Sequence, residues 1–355
     1  MIANRVSVGV VNYNGESYLK PTLRAVERLG SAVDDVLLID SGSTDASVAL
    51  VSEHFPHVRI IALGANLGPG AARNRAITAA EHRRVLLIDN DVEPLPGCIE
   101  ALGEALDVHP NAILAMAAVL YERDPETVQH VGAHPHFLGA PALLRADIPV
   151  TRLDNTVQVV GSAITSCLMV DRERFGDRPW FDERLFFYFE DHEFGVRASI
   201  QGYDCLAVPR ARCLHRAGTI GVSIRQTGRF TPIRIRYTIR NRWLTMLMLY
   251  QARTLLRFAP ALSVFEMLQL FGGLKKGWLG HWLWAAGSMV GALPHVFRVR
   301  ATMRESRRRS DLEVLQGGPF PFNKAMHHSA LERAAQRALD VVAGLNWRLA
   351  GRRTQ

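Results

Sequence analysis

Two acidic clusters carry most of the chemistry that this sequence offers. Asp89-Asn90-Asp91 follows directly on the apolar run Val85-Leu86-Leu87-Ile88. Alternate carboxylates at a strand end can aim oxygen ligands at one hard cation. A cation held there bridges two phosphates of a nucleotide and neutralises a departing diphosphate. The same residue types favour turns and helix caps, so the trio alone leaves an ordinary turn open. Glu190-Asp191 is the second cluster, preceded by Phe186-Phe187-Tyr188-Phe189. An aromatic surround excludes water and raises a carboxyl pKa, which suits a carboxylate that takes a proton from an attacking hydroxyl. The plainer alternative is a pair of acids complementing a helix N-terminus.

Other residues fit the same chemistry. Tyr13 can stack on a pyrimidine base or simply pack at a strand end. Asp40 and Ser41 can accept from base N–H groups or ribose hydroxyls. Gly68 and Gly70 allow the backbone to approach a ligand closely. Arg73, on the next helical turn, faces a diphosphate in this reading; the alternative is a solvated surface arginine.

The elements that must position these residues alternate between strand and helix. Val6–Val11 reads as a strand ended by the turn cluster Asn12-Tyr13-Asn14-Gly15, and Ser17–Leu29 has helical spacing. Asp35–Asp40 is a second strand; Ser43 or Thr44 can cap the helix that runs to His54. Val58–Leu63 is a third strand and ends in Asn66-Leu67-Gly68-Pro69-Gly70, with Ala71–Glu81 as its helix. Val85–Ile88 is the fourth. Such βα units imply a mainly parallel sheet covered by helices, an α/β fold. In an open sheet of this kind ligands sit at the carboxyl ends of the strands, where all four turn clusters fall.

The chain beyond reads less regularly. Leu143–Gln158 suggests loops and edge strands, Gly161–Val170 a buried strand or helix start, and Phe181–Tyr203 a helix in its second half. After Arg210 the character changes. Arg225, Arg229, Arg234, Arg236, Arg240 and Arg242 punctuate a segment that leads into apolar stretches at Trp243–Tyr250, Leu255–Leu274 and Gly277–Phe297. A last amphipathic stretch lies around Leu331–Leu349.

Composition bounds the reading. The 355 residues are 48% hydrophobic and 21% charged, which excludes a disordered chain, a collagen-like repeat and a coiled coil. Four cysteines without a CxxC pair argue against a disulfide scaffold and fit a reducing compartment. Mean hydropathy near zero argues against a polytopic transporter, and a strand from Arg5 onward against a signal peptide. The net charge of +8 is unevenly spread: residues 1–204 hold 17 Lys and Arg against 28 Asp and Glu, and residues 205–355 hold 25 against 6. A basic region interleaved with long aliphatic runs and with Trp278, Trp282, Trp284 and Phe297 fits an anionic membrane surface better than nucleic acid. Gly277–Phe297 is expected to lie in the membrane plane or re-enter, a true span or a buried helix being the alternatives.

Taken together, Val10-Val11-Asn12-Tyr13-Asn14-Gly15, Leu38-Ile39-Asp40-Ser41-Gly42-Ser43-Thr44-Asp45, Asn66–Ile77 and Leu87-Ile88-Asp89-Asn90-Asp91 resemble glycosyltransferase family 2, in that family's order. Trp180-Phe181-Asp182-Glu183, Phe187–Asp191 and Gly202-Tyr203 extend the resemblance to roughly residues 5–245. It implies a GT-A fold and a Rossmann-like nucleotide-binding domain over residues 1–245; the composition described above makes 246–355 a helical region expected to associate with a membrane. The resemblance implies inverting transfer of a sugar from a nucleotide diphosphate, with Mg²⁺ or Mn²⁺ as cofactor. Asp89 and Asp91 match the DxD metal motif, and His215 follows where relatives complete the metal or phosphate site. Val11, Tyr13, Asp40, Ser41, Gly68, Arg73 and Asn90 fall in nucleotide-binding blocks. Asp191 is the implied base with Glu190 as its partner, and Trp180 and Arg240 lie on the acceptor side. Ile239-Arg240-Asn241-Arg242-Trp243 nearly matches the QxxRW of processive synthases, but Ile239 replaces the Gln, so addition of one or a few sugars is expected. Within that family the overall pattern resembles bacterial rhamnosyltransferases. That implies a dTDP- or UDP-sugar donor, a saccharide or lipid-linked acceptor, and a place on the cytoplasmic face of the membrane. The rival expectation is a nucleotide-sugar-binding or scaffolding protein without catalysis.

Overall fold

The computed structural model describes residues 5–176, 178–216, 230–321 and 329–351, so Arg225 and Arg229 lie outside the described residues. The chain forms two compact units. The first comprises Met1–Ala133, Leu143–Gly195 and Tyr203–Ser223; the second comprises His134–Ala142, Val196–Gly202 and Ile224–Gln355.

The first unit is built on a sheet that has eleven strands among the described residues. Four parallel strands form one half: β1 (Val6–Asn12), β2 (Val33–Asp40), β3 (Arg59–Ala62) and β4 (Arg84–Asp89). Every residue of β1 is buried, as befits a central parallel strand covered on both faces. Between these strands run α1 (Glu16–Glu27), α2 (Ser47–His54) and α3 (Pro69–Ala79). α1 is amphipathic and buries Leu19, Leu23 and Val26. α3 opens with Pro69, whose fixed φ and missing N–H suit a first helical turn. α2 begins at Ser47, later than expected, with no side-chain cap from Ser43 or Thr44. The Ser43 hydroxyl instead donates to Asp40 Oδ1 at 2.6 Å, which holds the chain in a loop.

The other half of the sheet is mixed. β5 (Val92–Pro94) is followed by α4 (Cys98–Val108), β6 (Ala112–Tyr121) and β7 (Asp124–His130). β8 (Ala133–His136) and β9 (Ala140–Leu143) pair in a separate two-stranded sheet that falls mainly in the second unit, and β10 (Ile148–Pro149) and β11 (Gln158–Val160) return to the large sheet. β12 (Cys167–Asp171) enters antiparallel between β4 and β6, followed by the short α5 (Arg172–Phe175) and by α6 (Glu190–Ile200). β13 (Asp204–His215) runs parallel to β6 and antiparallel to β5 and β11. The parallel reading therefore holds for the first four strands, and the sheet as a whole combines both directions around the GT-A type of architecture. The four cysteines are buried free thiols.

The second unit is helical: α7 (Pro232–Leu249), α8 (Ala252–Lys275), α9 (Leu279–Ser306), the short α10 (Asp311–Val314) and α11 (Ala330–Gly351). Arg242 of α7 is buried; it donates to Leu138 O at 2.7 Å, pairs with Glu266 of α8 and lies over the Phe265 ring. α11 inserts the Asn346 amide beside Pro260 of α8, donating to Arg257 O at 3.0 Å and accepting from Ala261 N at 3.2 Å. It thereby satisfies backbone groups in the stretch that the proline disturbs. Among the described residues, α8 is the one helix long and apolar enough to cross a membrane by length and composition.

The tightest test of the α/β packing lies at Gly9. A Cβ there would stand 2.6 Å from the Cβ of Ala76 on α3. Gly9→Ala is expected to cost about 1–3 kcal/mol by overpacking, read as a lower urea midpoint with an unchanged m-value.

Candidate active site

The four parallel strands end level with one another: register places Val11 beside Asp89 and Asn12 beside Asp40. Asn12 is the buried centre of this edge. Its Nδ2 donates to Asp40 Oδ1 at 2.8 Å and to Ser43 Oγ at 3.1 Å, and its Oδ1 accepts from Asn90 Nδ2 at 2.8 Å. A Cβ on Gly15 would collide with both asparagine amides, so the residue here must be glycine. Asp40 Oδ2 accepts from the backbone N–H groups of Gly42 and Ser43 at 3.1 and 3.0 Å, so both Asp40 oxygens already shape their own loop. Ser41 is buried and donates its N–H to Asn12 O at 2.9 Å. Asn90 turns inward as well, its carbonyl accepting from Thr22 Oγ1 at 2.8 Å. Asp40 and Asn90 thus build the floor with their side chains, and Ser41 with its backbone N–H. Tyr13 stands out from it, 41% exposed at the end of β1.

His215 reaches the acidic turn through strand pairing. β13 pairs with β5 so that His215 lies opposite Val92, next in sequence to Asp91. Its Nε2 is 3.4 Å from Asp91 Oδ2, and its Nδ1 is 2.7 Å from Gln129 Oε1. An amide oxygen can only accept, so Nδ1 carries the hydrogen; in the neutral ring Nε2 holds the lone pair that a metal would use, and in the protonated ring it donates to Asp91. Such outer fixing of the tautomer is characteristic of metal-bound imidazoles. Burial opposes a charge on His215, but Asp91 and Asp89 outweigh it and hold the ring above its ordinary pKa. Among the described residues, no group of three or more His, Cys, Asp or Glu could hold a metal ion by itself. The donors present are two facing lone-pair groups, Asp91 and His215, with Asp89 nearby. That set fits a cation of the Mg²⁺ or Mn²⁺ kind, which commonly takes one or two protein ligands and draws the rest from substrate phosphates and water.

Arg73 joins this side of the crevice to the second acidic cluster. It is 3% exposed, not solvated, with Nη2 at 2.6 Å from Asp89 Oδ1 and Nη1 at 3.1 Å from Glu190 Oε1. The residues it bridges are 117 and 16 positions away in the chain. Glu190 Oε2 and Arg73 Nε are buried without a hydrogen-bond partner among the described residues.

The loop before α6 is bent hard. Phe186, Tyr188 and Phe189 have φ of 61°, 63° and 73°, a region that non-glycine residues avoid. A Cβ on Gly68, itself at φ 88°, would collide with the Phe186 carbonyl. The absence of a side chain on Gly68 lets this loop approach its backbone closely. Asp191, partly accessible, accepts from its neighbour His192 N at 2.7 Å and from the Thr165 backbone. His192 Nδ1 lies 2.7 Å from Ser162 Oγ, and a Cβ on Gly195 would strike the backbone of Ser162 and Ala163. Asp191, His192 and Gly195 therefore share one helix face against the 162–165 loop. Trp180, expected on the acceptor side, is buried against Phe175 and Phe194 with ring centroids 4.7 and 5.4 Å away. Arg240 belongs to the second unit, where it lies over Tyr237 and donates to Asn241.

Residues 7–176 match the family model described as glycosyl transferase family 2. Over 236 residues the chain is 31% identical to the N-acetylglucosaminyl-diphospho-decaprenol L-rhamnosyltransferase of Mycobacterium tuberculosis, covering 59% of this chain and 75% of that relative. The chain belongs to glycosyl transferase family 2. As a member it is an enzyme that transfers a sugar from a nucleotide-sugar donor. The fold agrees with solved structures. GalNAc-T7, solved with UDP, GalNAc and Mn²⁺, superposes with a TM-score of 0.56 at 14% identity over 82% of this chain and 57% of that one. Staphylococcus aureus TarS superposes with a TM-score of 0.50 at 17% identity over 90% of this chain and 57% of that one. This family member thus spans a little over half of either structure.

Burial and the charge of Asp191 push Glu190 up to about 7, against the pull of Arg73. Burial lifts Asp191 as well, opposed by Arg73. A carboxyl whose folded pKa exceeds its unfolded value stabilises fully below the unfolded pKa and loses that contribution as pH rises through the folded one. Urea denaturation of wild type and Glu190→Gln at several pH values should therefore show wild type losing ground to the variant between about pH 4.5 and 7. Parallel pH curves for the two proteins would refute the shift.

Proposed function

We propose that the enzyme transfers a deoxyhexose, L-rhamnose first among the candidates, from a dTDP- or UDP-sugar with inversion, onto a hydroxyl of a lipid-linked saccharide. The observation that carries this reading is the Arg73 bridge, which ties the Asp89–Asp91 turn and the Glu190–Asp191 pair into one crevice. The rhamnosyltransferase relative, named for a diphospho-decaprenol acceptor, supports the choice of donor and acceptor class. Assembly of a cell-surface polysaccharide or glycolipid at the cytoplasmic membrane face is the setting that fits. The transfer chemistry is assigned to residues 1–245 and membrane association to 246–355.

The residues take the following parts. Asp91 and His215, with Asp89 beside them, would hold a Mg²⁺ or Mn²⁺ ion, whose chemistry is to offset the charge of the departing diphosphate. Tyr13 stacks on the base, and the Val11 and Gly68 backbone borders the nucleotide. Asp191 accepts the proton of the acceptor hydroxyl as that oxygen attacks the anomeric carbon from the face opposite the diphosphate. Glu190 is held by Arg73 and orients its neighbour. A low-dielectric wall from Phe186–Phe189 keeps water from competing with the acceptor.

Asp191→Asn retains the shape of the side chain but cannot accept a proton. Its single-turnover rate at saturating donor should fall about 10²–10⁴-fold with donor affinity nearly unchanged. Glu190→Gln should lose less, partly through acceptor KM. Full turnover in Asp191→Asn would move the base elsewhere. Asp91→Ala should abolish the Mn²⁺-dependent part of UDP or dTDP binding in calorimetry, and unchanged metal-dependent affinity would remove the metal role of that turn. Transfer-competent wild type under the same assay separates this enzyme from a nucleotide-sugar-binding scaffold.

A further inference from the structure

The face of α9 changes character along its length. Leu283, Val290, Leu293 and Phe297 form one stripe, and Val290 and Phe297 are 70% and 67% exposed. Helical spacing carries the same stripe on to Arg300 and Arg304. At this junction lies a groove of about 470 Å³, lined by Met248, Tyr250, Phe297, Arg300, Arg304 and Arg307 among others. Its cations are unequally engaged. Arg307 pairs with Asp311 Oδ1 at 2.6 Å and also donates to Leu249 O. Arg300 donates to Leu247 O and, at 2.8 Å, to Tyr250 O, so it caps the end of α7 but meets no carboxylate there. Arg304 is exposed and has no hydrogen-bond or ion-pair partner among the described residues. Two positive charges remain at the groove after Arg307 and Asp311 neutralise each other.

We propose that this groove binds the phosphate head group of an anionic phospholipid, with the acyl chains against the Leu283–Phe297 stripe. The proposal rests on the reading of the C-terminal region as membrane-facing and names the site on it. A soluble phosphate needs the arginines alone. A molecule with an anionic head and an apolar tail matches both the cationic end and the exposed apolar stripe that continues from it, about 21 Å of helix between residues 290 and 304. The exposed apolar side chains are otherwise left in water, which is unfavourable for a patch of this extent.

Flotation of the full-length protein with phosphatidylcholine vesicles, with and without phosphatidylglycerol, tests the site. Wild type should float with the anionic vesicles. Arg304→Gln should partition about fivefold less, from the roughly 1 kcal/mol that one basic residue contributes at an anionic surface. Arg304→Lys should recover most of the loss, and Phe297→Ser should lose about tenfold. Arg123→Gln, which removes an exposed charge from the other unit, should float as wild type does. All three positions are exposed, and thermal unfolding checks that each of the four variants folds. Equal flotation of wild type and Arg304→Gln would overturn the groove while leaving the membrane reading intact; failure of wild type to float at all would overturn both. Inorganic phosphate binding that Arg304→Gln abolishes without changing flotation would make the groove a soluble-anion site and overturn the proposal.

Discussion

A buried guanidinium holding two carboxylates from distant parts of the chain is the constraint on which the site depends. Arg73 reaches Asp89 at the end of β4 and Glu190 at the start of α6 while almost wholly out of water. A buried ion pair is weak evidence for stability, because desolvation offsets much of the attraction. Removing one partner is another matter, since it leaves uncompensated charge in the interior. Without Arg73, Asp89, Glu190 and Asp191 would crowd together with no cation among them. Burial already raises all three carboxyls, and Arg73 opposes that rise in each case. The arginine therefore helps to keep the cluster ionised while fixing the distance between its two halves.

The polar floor around this bridge explains why several nucleotide-block residues face inward. Asn12, Asp40, Ser43 and Asn90 hydrogen-bond to one another beneath the crevice, and they hold the β1 and β4 turns at one level. α6 is fixed on its other side by Thr165, Ser162 and the close approach at Gly195. Rigid support of this kind lets a strained loop with three aromatic residues at positive φ persist beside Asp191.

Much of this was legible in the sequence. The four βα units and their turns follow from short apolar runs closed by Asn, Asp and Gly clusters, and the two acidic clusters stand out by residue type. The pairing in the mixed half of the sheet was not legible, because β5, β11 and β12 are short and pair with strands far away in sequence. The Ser43 or Thr44 cap failed because the hydroxyl of Ser43 found a better acceptor in Asp40. Arg73 read as a surface or ligand residue because its partners are set by tertiary packing. Gln129, Ser162, His192 and Gly195 carried no local signal, being common residue types whose role appears only when β7, the 162–165 loop and α6 meet. The C-terminal helices were legible from apolar spacing and charge, and α8, rather than Gly277–Phe297, proves to be the segment with the length and composition of a span.

The claim that one crevice performs direct displacement is tested most directly by the stereochemistry of the product. Purified enzyme would be supplied with dTDP-L-rhamnose, Mn²⁺ and a short-chain prenyl-diphospho-N-acetylglucosamine, and the anomeric configuration of the new linkage read by NMR. The account predicts a disaccharide whose anomeric centre is inverted relative to the donor. A product with retained configuration would contradict it.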